Sequence, residues 1–278
     1  MNKKIYRFGV IKFSDRISRS PGMHKRFMKS LKLNGYYDAF SIEPDGLSSF
    51  IGKVKNGLLD GFNVTIPHKE SLYHLCDELT PEAEAVRAVN TVRVVGDKLT
   101  GHNTDIGGFS RAIAENFRDL KIDNALIIGA GGAARAVAYA LAKQGVSDIY
   151  IKNRTILRAQ SLSDDLKHLF PGTKFHVIGG GAANPGDIHL AICTLKPGVI
   201  NQKMISSIKG LKYYYDVNYT PDAISLASEI KQTGIQTATG LNMLVYQGIE
   251  SLGFWLGHKI EDDKLVNNVI TELTMEKV

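Results

Sequence analysis

The stretch Ala125-Leu126-Ile127-Ile128-Gly129-Ala130-Gly131-Gly132-Ala133-Ala134 constrains this chain more than any other. A short apolar run breaks into small residues and continues as a helix pattern, which reads as a buried strand turning sharply into a helix N-terminus. Gly129-x-Gly131-x-x-Ala134 fits the glycine fingerprint of dinucleotide sites. The first glycine allows the tight turn, the second close approach of a pyrophosphate, and the small third residue close packing of helix on strand. Backbone N–H groups of Gly129, Ala130, Gly131, Gly132 and Ala133 then face the phosphates. An apolar-periodic helix through Ala136, Val137, Ala140 and Leu141 follows, closed by Gln144-Gly145, and a second strand runs from Asp148 to Ile151.

The end of that second strand selects the cofactor. A carboxylate there would bind a free ribose 2′-hydroxyl and repel a 2′-phosphate. The residues present are Asn153-Arg154-Thr155, with Arg158 one turn into the next helix. A planar guanidinium fork pairs with a phosphate, so the expected cofactor is NADP. The plainer alternative is a glycine turn followed by a surface arginine.

At 278 residues, 44% hydrophobic and 22% charged, the chain is long enough for two globular domains. No apolar segment of bilayer-spanning length and no signal-peptide core are seen, which predicts a cytoplasmic protein with no membrane partner. The two cysteines, Cys76 and Cys193, are too few for a disulfide framework, and the eight histidines lack metal-ligand spacing, so no metal is expected. The net charge of +6 is concentrated near the N-terminus, where Lys3, Lys4, Arg7, Lys12, Arg16, Arg19, Lys25, Arg26, Lys29 and Lys32 are opposed only by Asp15. These residues do not form an aromatic-interleaved patch. The balance therefore favours an anionic small molecule over nucleic acid.

Read in order, strand and helix patterns alternate from Ile5 to Thr65, which predicts a parallel sheet with crossover helices. Ser20 is expected as N-cap and Pro21 as N1 of a helix reaching about Leu33. Thr80-Pro81 starts another helix, and Gly96-Asp97 turns a hairpin. Six strands in 125–128, 148–152, 174–178, 188–193, 213–217 and 235–238 make the second unit doubly wound. Two final helices, from Leu241 and from about Asp262, are expected to return to the first domain. The fold class is thus α/β with two domains: an N-terminal α/β substrate domain of residues 1–105 and 241–278, and a doubly wound Rossmann NADP domain of residues 106–240. Ligands are expected in the crevice between them, at the carboxyl ends of the strands.

Polar residues gather after the strands of the first domain: Asn63, Thr65 and Lys69, then Asn90 and Thr91, then Asn103, Thr104 and Asp105. An ammonium and a carboxylate facing one crevice can relay a proton, while amides and hydroxyls hold a substrate's hydroxyl groups. Each residue also admits a structural reading. Lys69 is then a solvated residue, Asp105 or Thr104 a helix cap, Ser18 and Ser20 turn residues, and Gln247 one polar position on an apolar helix.

The motifs Ser18-Arg19-Ser20-Pro21, Gly61-Phe62-Asn63-Val64-Thr65-Ile66-Pro67-His68-Lys69, Ala88-Val89-Asn90-Thr91, Asn103-Thr104-Asp105, Gly129-Ala130-Gly131-Gly132-Ala133, Asn153-Arg154-Thr155, Tyr215-Asp216-Val217-Asn218-Tyr219 and Met243-Leu244-Val245-Tyr246-Gln247-Gly248 occur in one order across nearly the whole chain. In that order the chain resembles the shikimate dehydrogenase family, which reduces 3-dehydroshikimate with NADPH. The resemblance implies that Lys69 and Asp105 are the catalytic pair. It further implies that Ser18 and Ser20 hold the substrate carboxylate, that Thr65, Asn90, Asp105 and Gln247 hold ring hydroxyls, and that Tyr219 lies near substrate and nicotinamide. Gly240 is assigned to the cofactor site, and the molecule to a monomer or a homodimer.

Three stretches depart from the family's pattern. Lys12-Phe13-Ser14-Asp15-Arg16-Ile17 replaces Gly-x-Pro-x-x-His, Cys193-Thr194-Leu195-Lys196-Pro197-Gly198 replaces Asn-Ala-Thr-Ser-x-Gly, and Thr239-Gly240-Leu241-Asn242 replaces Asp-Gly-Leu-Gly. The altered loops keep a quinate-preferring paralogue as the alternative within the class. A non-catalytic shikimate-binding sensor is the alternative outside it, and retention of both Lys69 and Asp105 argues against it, because binding alone requires no proton relay.

Overall fold

The structure is a computed structural model that describes residues 4–13, 18–117, 121–179 and 185–276. Ser14–Ile17, the greater part of the first departure from the family's pattern, lie outside the described residues, as do Lys3 and the Asp15 and Arg16 charges. The chain begins with β1 (Tyr6–Lys12), α1 (Ser20–Ser30), β2 (Gly35–Ser41), α2 (Leu47–Lys55), β3 (Gly61–Val64) and α3 (Lys69–Leu75). It continues with β4 (Glu78–Leu79), α4 (Pro81–Val86), β5 (Thr91–Val95), β6 (Lys98–His102) and α5 (Asp105–Asn116). Then come β7 (Asn124–Ile128), α6 (Gly132–Lys143), β8 (Asp148–Lys152), α7 (Ile156–Lys167), β9 (Lys174–Ile178) and β10 (Leu190–Cys193). The last elements are α8 (Gln202–Ser206), β11 (Tyr213–Asp216), α9 (Pro221–Lys231), β12 (Gln236–Thr239), α10 (Leu241–Leu256) and α11 (Asp263–Met275).

Two compact units result. One comprises the chain through Gly108 together with the chain from Leu244 on, and the other comprises Phe109–Met243. The unit boundaries fall inside α5 and α10.

The first unit carries a six-stranded sheet in the order β2-β1-β3-β5-β6-β4. β1 pairs in parallel with β2 and β3, as the alternation from Ile5 to Thr65 predicts, and β5 is antiparallel to both β3 and β6, so the complete sheet is mixed. The crossover that strand–helix–strand alternation implies lands on β4, a strand of two residues that pairs in parallel with β6 and is too short for periodicity to reveal. From β4 the chain passes only a six-residue helix, short of a full crossover, and so enters β5 reversed. The core is built on Ile11, Phe50, Val54, Leu59, Phe62, Leu72, Val92 and Leu99, all buried.

Helix ends follow local chemistry. Thr80 caps α4 by accepting from Ala83 N–H, and Asp262 caps α11 by accepting from Leu265 N–H at 2.8 Å. Ser20 is not the cap of α1. It is the first helical residue after Arg19, which offers no capping side-chain bond, and its N–H donates to the Ser18 hydroxyl at 3.2 Å in a local turn. α1 also stops at Ser30, before the expected Leu33, and its Arg26 pairs with Glu272 of α11 at 2.7 Å.

His24 of α1 is fully buried, stacked on Tyr37 at 4.3 Å, with no hydrogen-bond partner for either ring nitrogen among the described residues. Burial, only partly offset by the neighbouring Asn63 amide, lowers its pKa from 6.5 to about 3. Below pH 6.5 the unfolded chain takes up a proton that folded His24 refuses, so stability falls as pH drops from 6.5 toward about 3. The expected result is a urea-unfolding free energy about 2 kcal/mol lower at about pH 5 than near neutrality from this group alone. His24→Phe should lack that increment. Identical pH dependence in the two proteins would show that His24 titrates normally in the fold.

The second unit carries six parallel strands in the order β12-β11-β10-β7-β8-β9. Both faces are covered, which explains the continuous apolar runs Ala125–Ile128 and Leu190–Cys193. The strand order reverses between β7 and β10, the switch point where such sheets open a crevice beyond their carboxyl ends.

Candidate active site

In the first unit, β3, β5, β6, α3 and α5 converge on one polar cluster. Lys69 is the first residue of α3 and Asp105 the first of α5; Lys69 Nζ donates to Asp105 Oδ2 at 2.5 Å. The side chains keep 16% and 8% of their exposure. Asn90, at the entry to β5, donates through Nδ2 to Asp105 Oδ1 at 2.8 Å and to Thr104 Oγ1 at 3.0 Å, while its Oδ1 accepts the Thr104 N–H at 2.8 Å. Asn103 holds the same corner, accepting the Asp105 N–H at 3.1 Å and donating to Ala88 O at 2.8 Å.

These bonds decide between readings that the sequence left open. Asp105 is the first helical residue of α5 rather than the residue that precedes it, and its two carboxylate oxygens are engaged by Lys69 and Asn90. Lys69 is not a solvated surface residue. Gln247 of α10 is buried, donates to Leu244 O at 2.7 Å and accepts from Thr104 Oγ1 at 3.4 Å. Thr65 follows β3, its N–H donating to Ile11 O at 3.0 Å. Ser18 and Ser20 lie at the start of α1 in the same unit.

Beneath the pair lies a second layer that sequence reasoning only partly saw. Asn63 donates to Thr91 Oγ1 at 3.0 Å and Ser251 Oγ at 2.9 Å and accepts from Tyr37 O–H at 2.9 Å. Ser251 also meets Thr91 at 2.7 Å and Thr104 at 3.1 Å. Ser251 and Tyr37 were missed. For Ser251 the signal was present: it sits one helical turn after Gln247 on an otherwise apolar helix, so the two polar groups share a face. A buried network with its members satisfied is rigid, and it fixes Asn90 and Thr104, which in turn fix Asp105.

In the second unit the expected cofactor residues line up along the carboxyl edge of the sheet. Gly129 follows β7 with φ +123°, and a Cβ there would lie 2.2 Å from Thr194 Oγ1, so the position requires glycine. Gly131 is the N-cap of α6, a Cβ there would meet nothing within 4 Å, and the first turn of α6 carries no acidic residue. An anion can therefore approach the Gly131, Gly132 and Ala133 N–H groups without competition. Ala134 is buried against the sheet.

Asn153, Arg154 and Thr155 follow β8. Asn153 Nδ2 donates to Thr155 O at 2.8 Å, and Arg154 and Arg158 are exposed beside that turn. Gly240 follows β12, where a Cβ would lie 2.0 Å from Val217 O. Tyr219 follows β11 in the Asp216–Tyr219 loop. Cys193 and Cys76 are free thiols. Burial raises the Cys193 pKa to about 12. Among the described residues no group of three His, Cys, Asp or Glu side chains is placed to hold a metal, and no helix is long and apolar enough to cross a membrane.

Comparison with known proteins agrees with this arrangement. Residues 14–92 match the shikimate dehydrogenase substrate binding domain, and residues 111–206 match shikimate / quinate 5-dehydrogenase. The chain is 36% identical over 267 residues to the NADP(+) shikimate dehydrogenase of Methanopyrus kandleri, covering 92% of both proteins. It is 31% identical over 271 residues to that of Caldanaerobacter subterraneus, covering 96% of this chain and 97% of the relative. A shikimate dehydrogenase crystallised with NADP+ superposes with a TM-score of 0.81 at 30% identity, over 99% of this chain and 98% of that one. The Thermus thermophilus shikimate 5-dehydrogenase in complex with NADP(H) and shikimate gives a TM-score of 0.80 at 28% identity, over 96% and 99%. With relatives of this identity spanning almost its entire length, the chain belongs to the shikimate dehydrogenase family.

Proposed function

We propose that this protein is an NADP-dependent shikimate dehydrogenase interconverting 3-dehydroshikimate and shikimate, with Lys69 and Asp105 handling the proton. The observation that carries the reading is the Lys69–Asp105 contact of 2.5 Å, with the other carboxylate oxygen fixed by Asn90 at 2.8 Å. Withdrawing an ion pair from water costs much of what its attraction returns, so such a pair contributes little stability and is better explained by chemistry. In the reducing direction the Lys69 ammonium gives a proton to the oxygen that becomes the new hydroxyl, and in the oxidising direction the same nitrogen takes it back. Asp105 orients the ammonium and accepts from a substrate hydroxyl. Thr65, Asn90 and Gln247 hold the remaining ring hydroxyls, and Ser18 and Ser20 the carboxylate.

NADP fits the second unit. Ala130, Gly131, Gly132 and Ala133 would hold its diphosphate, with Gly129, whose own N–H donates to Lys152 O at 2.8 Å and so does not face the phosphates, supplying the turn; Asn153, Arg154, Thr155 and Arg158 would hold its phosphorylated ribose, and Tyr219 and Gly240 the nicotinamide end. Bound there, it supplies hydride chemistry at the carbon carrying the oxidised hydroxyl. The test is kcat/KM for shikimate and for quinate, each with NADP and with NAD, followed by nicotinamide absorbance. Shikimate with NADP is expected to lead by a wide margin. A preference for quinate would make the protein the quinate paralogue, and tight shikimate binding without nicotinamide reduction would make it a sensor.

A further inference from the structure

Asn218 sits where the ends of three strands meet. Its Nδ2 donates to Leu195 O, just after β10, at 2.7 Å and to Asp216 Oδ1, the last residue of β11, at 2.7 Å. Its backbone N–H donates to the same Asp216 oxygen at 2.9 Å, and its carbonyl accepts the N–H of Gly240, just after β12, at 3.0 Å. Asp216 is 2% exposed, and its other oxygen accepts from Tyr214 O–H at 3.1 Å. A buried carboxylate with both oxygens hydrogen-bonded to neighbours is a fixed anchor. The bond to Leu195 is different in kind. It crosses from one loop to another, in the stretch where Cys193-Thr194-Leu195-Lys196 departs from the family's pattern.

We propose that Asn218 is a positioning residue, anchored on Asp216, that braces the loops after β10 and β11 in the shape that receives the nicotinamide half of the dinucleotide. The proposal rests on the cofactor reading above. The phosphorylated ribose belongs to the turn after β8, one strand beyond β7, whereas Thr194 and Leu195 of the loop that Asn218 joins stand beside the Gly129 turn. Loss of the brace should therefore spare the phosphorylated-ribose end of the cofactor.

The experiment uses the full chain, with Asn218→Ala and with Asn218→Leu, which keeps the side chain's approximate size, removes the donor and adds no charge beside Asp216. Dissociation constants are measured by calorimetry for NADPH and for adenosine 2′,5′-bisphosphate, which has the phosphorylated ribose but no nicotinamide, and melting is recorded alongside. Both variants should bind NADPH about tenfold more weakly, the worth of the cross-loop hydrogen bond to Leu195, and the bisphosphate within about twofold of the unsubstituted protein. Unchanged NADPH binding overturns the proposal, and so does parallel weakening of both ligands with a lowered melting temperature, which would make Asn218 a structural residue only. If the unsubstituted chain binds neither ligand, the cofactor reading itself fails.

Discussion

Lys69→Ala should lower kcat for shikimate oxidation by roughly 10²–10⁴-fold, the usual worth of a positioned acid or base, with circular dichroism unchanged. The size follows from the surroundings of the nitrogen. Lys69 lies at 2.5 Å from one Asp105 oxygen, and the other is taken by the Asn90 amide, which cannot carry the proton in its place. The fold should survive because the network under the pair does not pass through Lys69: Asn63, Thr91, Thr104 and Ser251 remain bonded to one another. KM for shikimate should change much less than kcat, since the hydroxyl-binding groups stay in place. A kcat within a few-fold of the unsubstituted enzyme would remove Lys69 from the chemistry.

Arg154→Ala should weaken NADP binding by about 10–100-fold, as expected for the loss of charge-assisted hydrogen bonds of about 1.5–3 kcal/mol, and leave NAD binding within about twofold. Arg154 is exposed at the end of β8, next to a turn pinned by Asn153, and the position carries no carboxylate that would prefer a free 2′-hydroxyl. Arg158, one turn into α7, is the second cation at that corner and should soften the loss rather than abolish it. Equal weakening of NADP and NAD, read by calorimetry, would show that Arg154 does not meet the 2′-phosphate.

How much of this was legible beforehand depended on range along the chain. The Gly129 turn, its strand and its helix are contiguous, and the doubly wound sheet they begin appears in the expected strand positions. The pairing of Lys69 with Asp105 joins residues 36 apart, which no periodicity reports. Only the order of motifs pointed to it. The antiparallel entry of β5 was hidden by β4, whose two residues carry no pattern. Asn63 was placed after β3 and proves to lie within it, buried, because its polar side chain is satisfied by Ser251 and Tyr37, contributed by distant parts of the chain. The Ser20 cap failed for a local reason, since the helix begins one residue earlier than expected and Ser20 is already its first helical residue, after Arg19.

The most direct test of the account is a single turnover: enzyme saturated with both shikimate and NADP, with the first burst of reduced nicotinamide recorded for the unsubstituted chain and for Lys69→Ala. The account predicts that the single-turnover rate falls in the variant by the same factor as kcat while shikimate affinity holds. A single-turnover rate equal to that of the unsubstituted enzyme would contradict it.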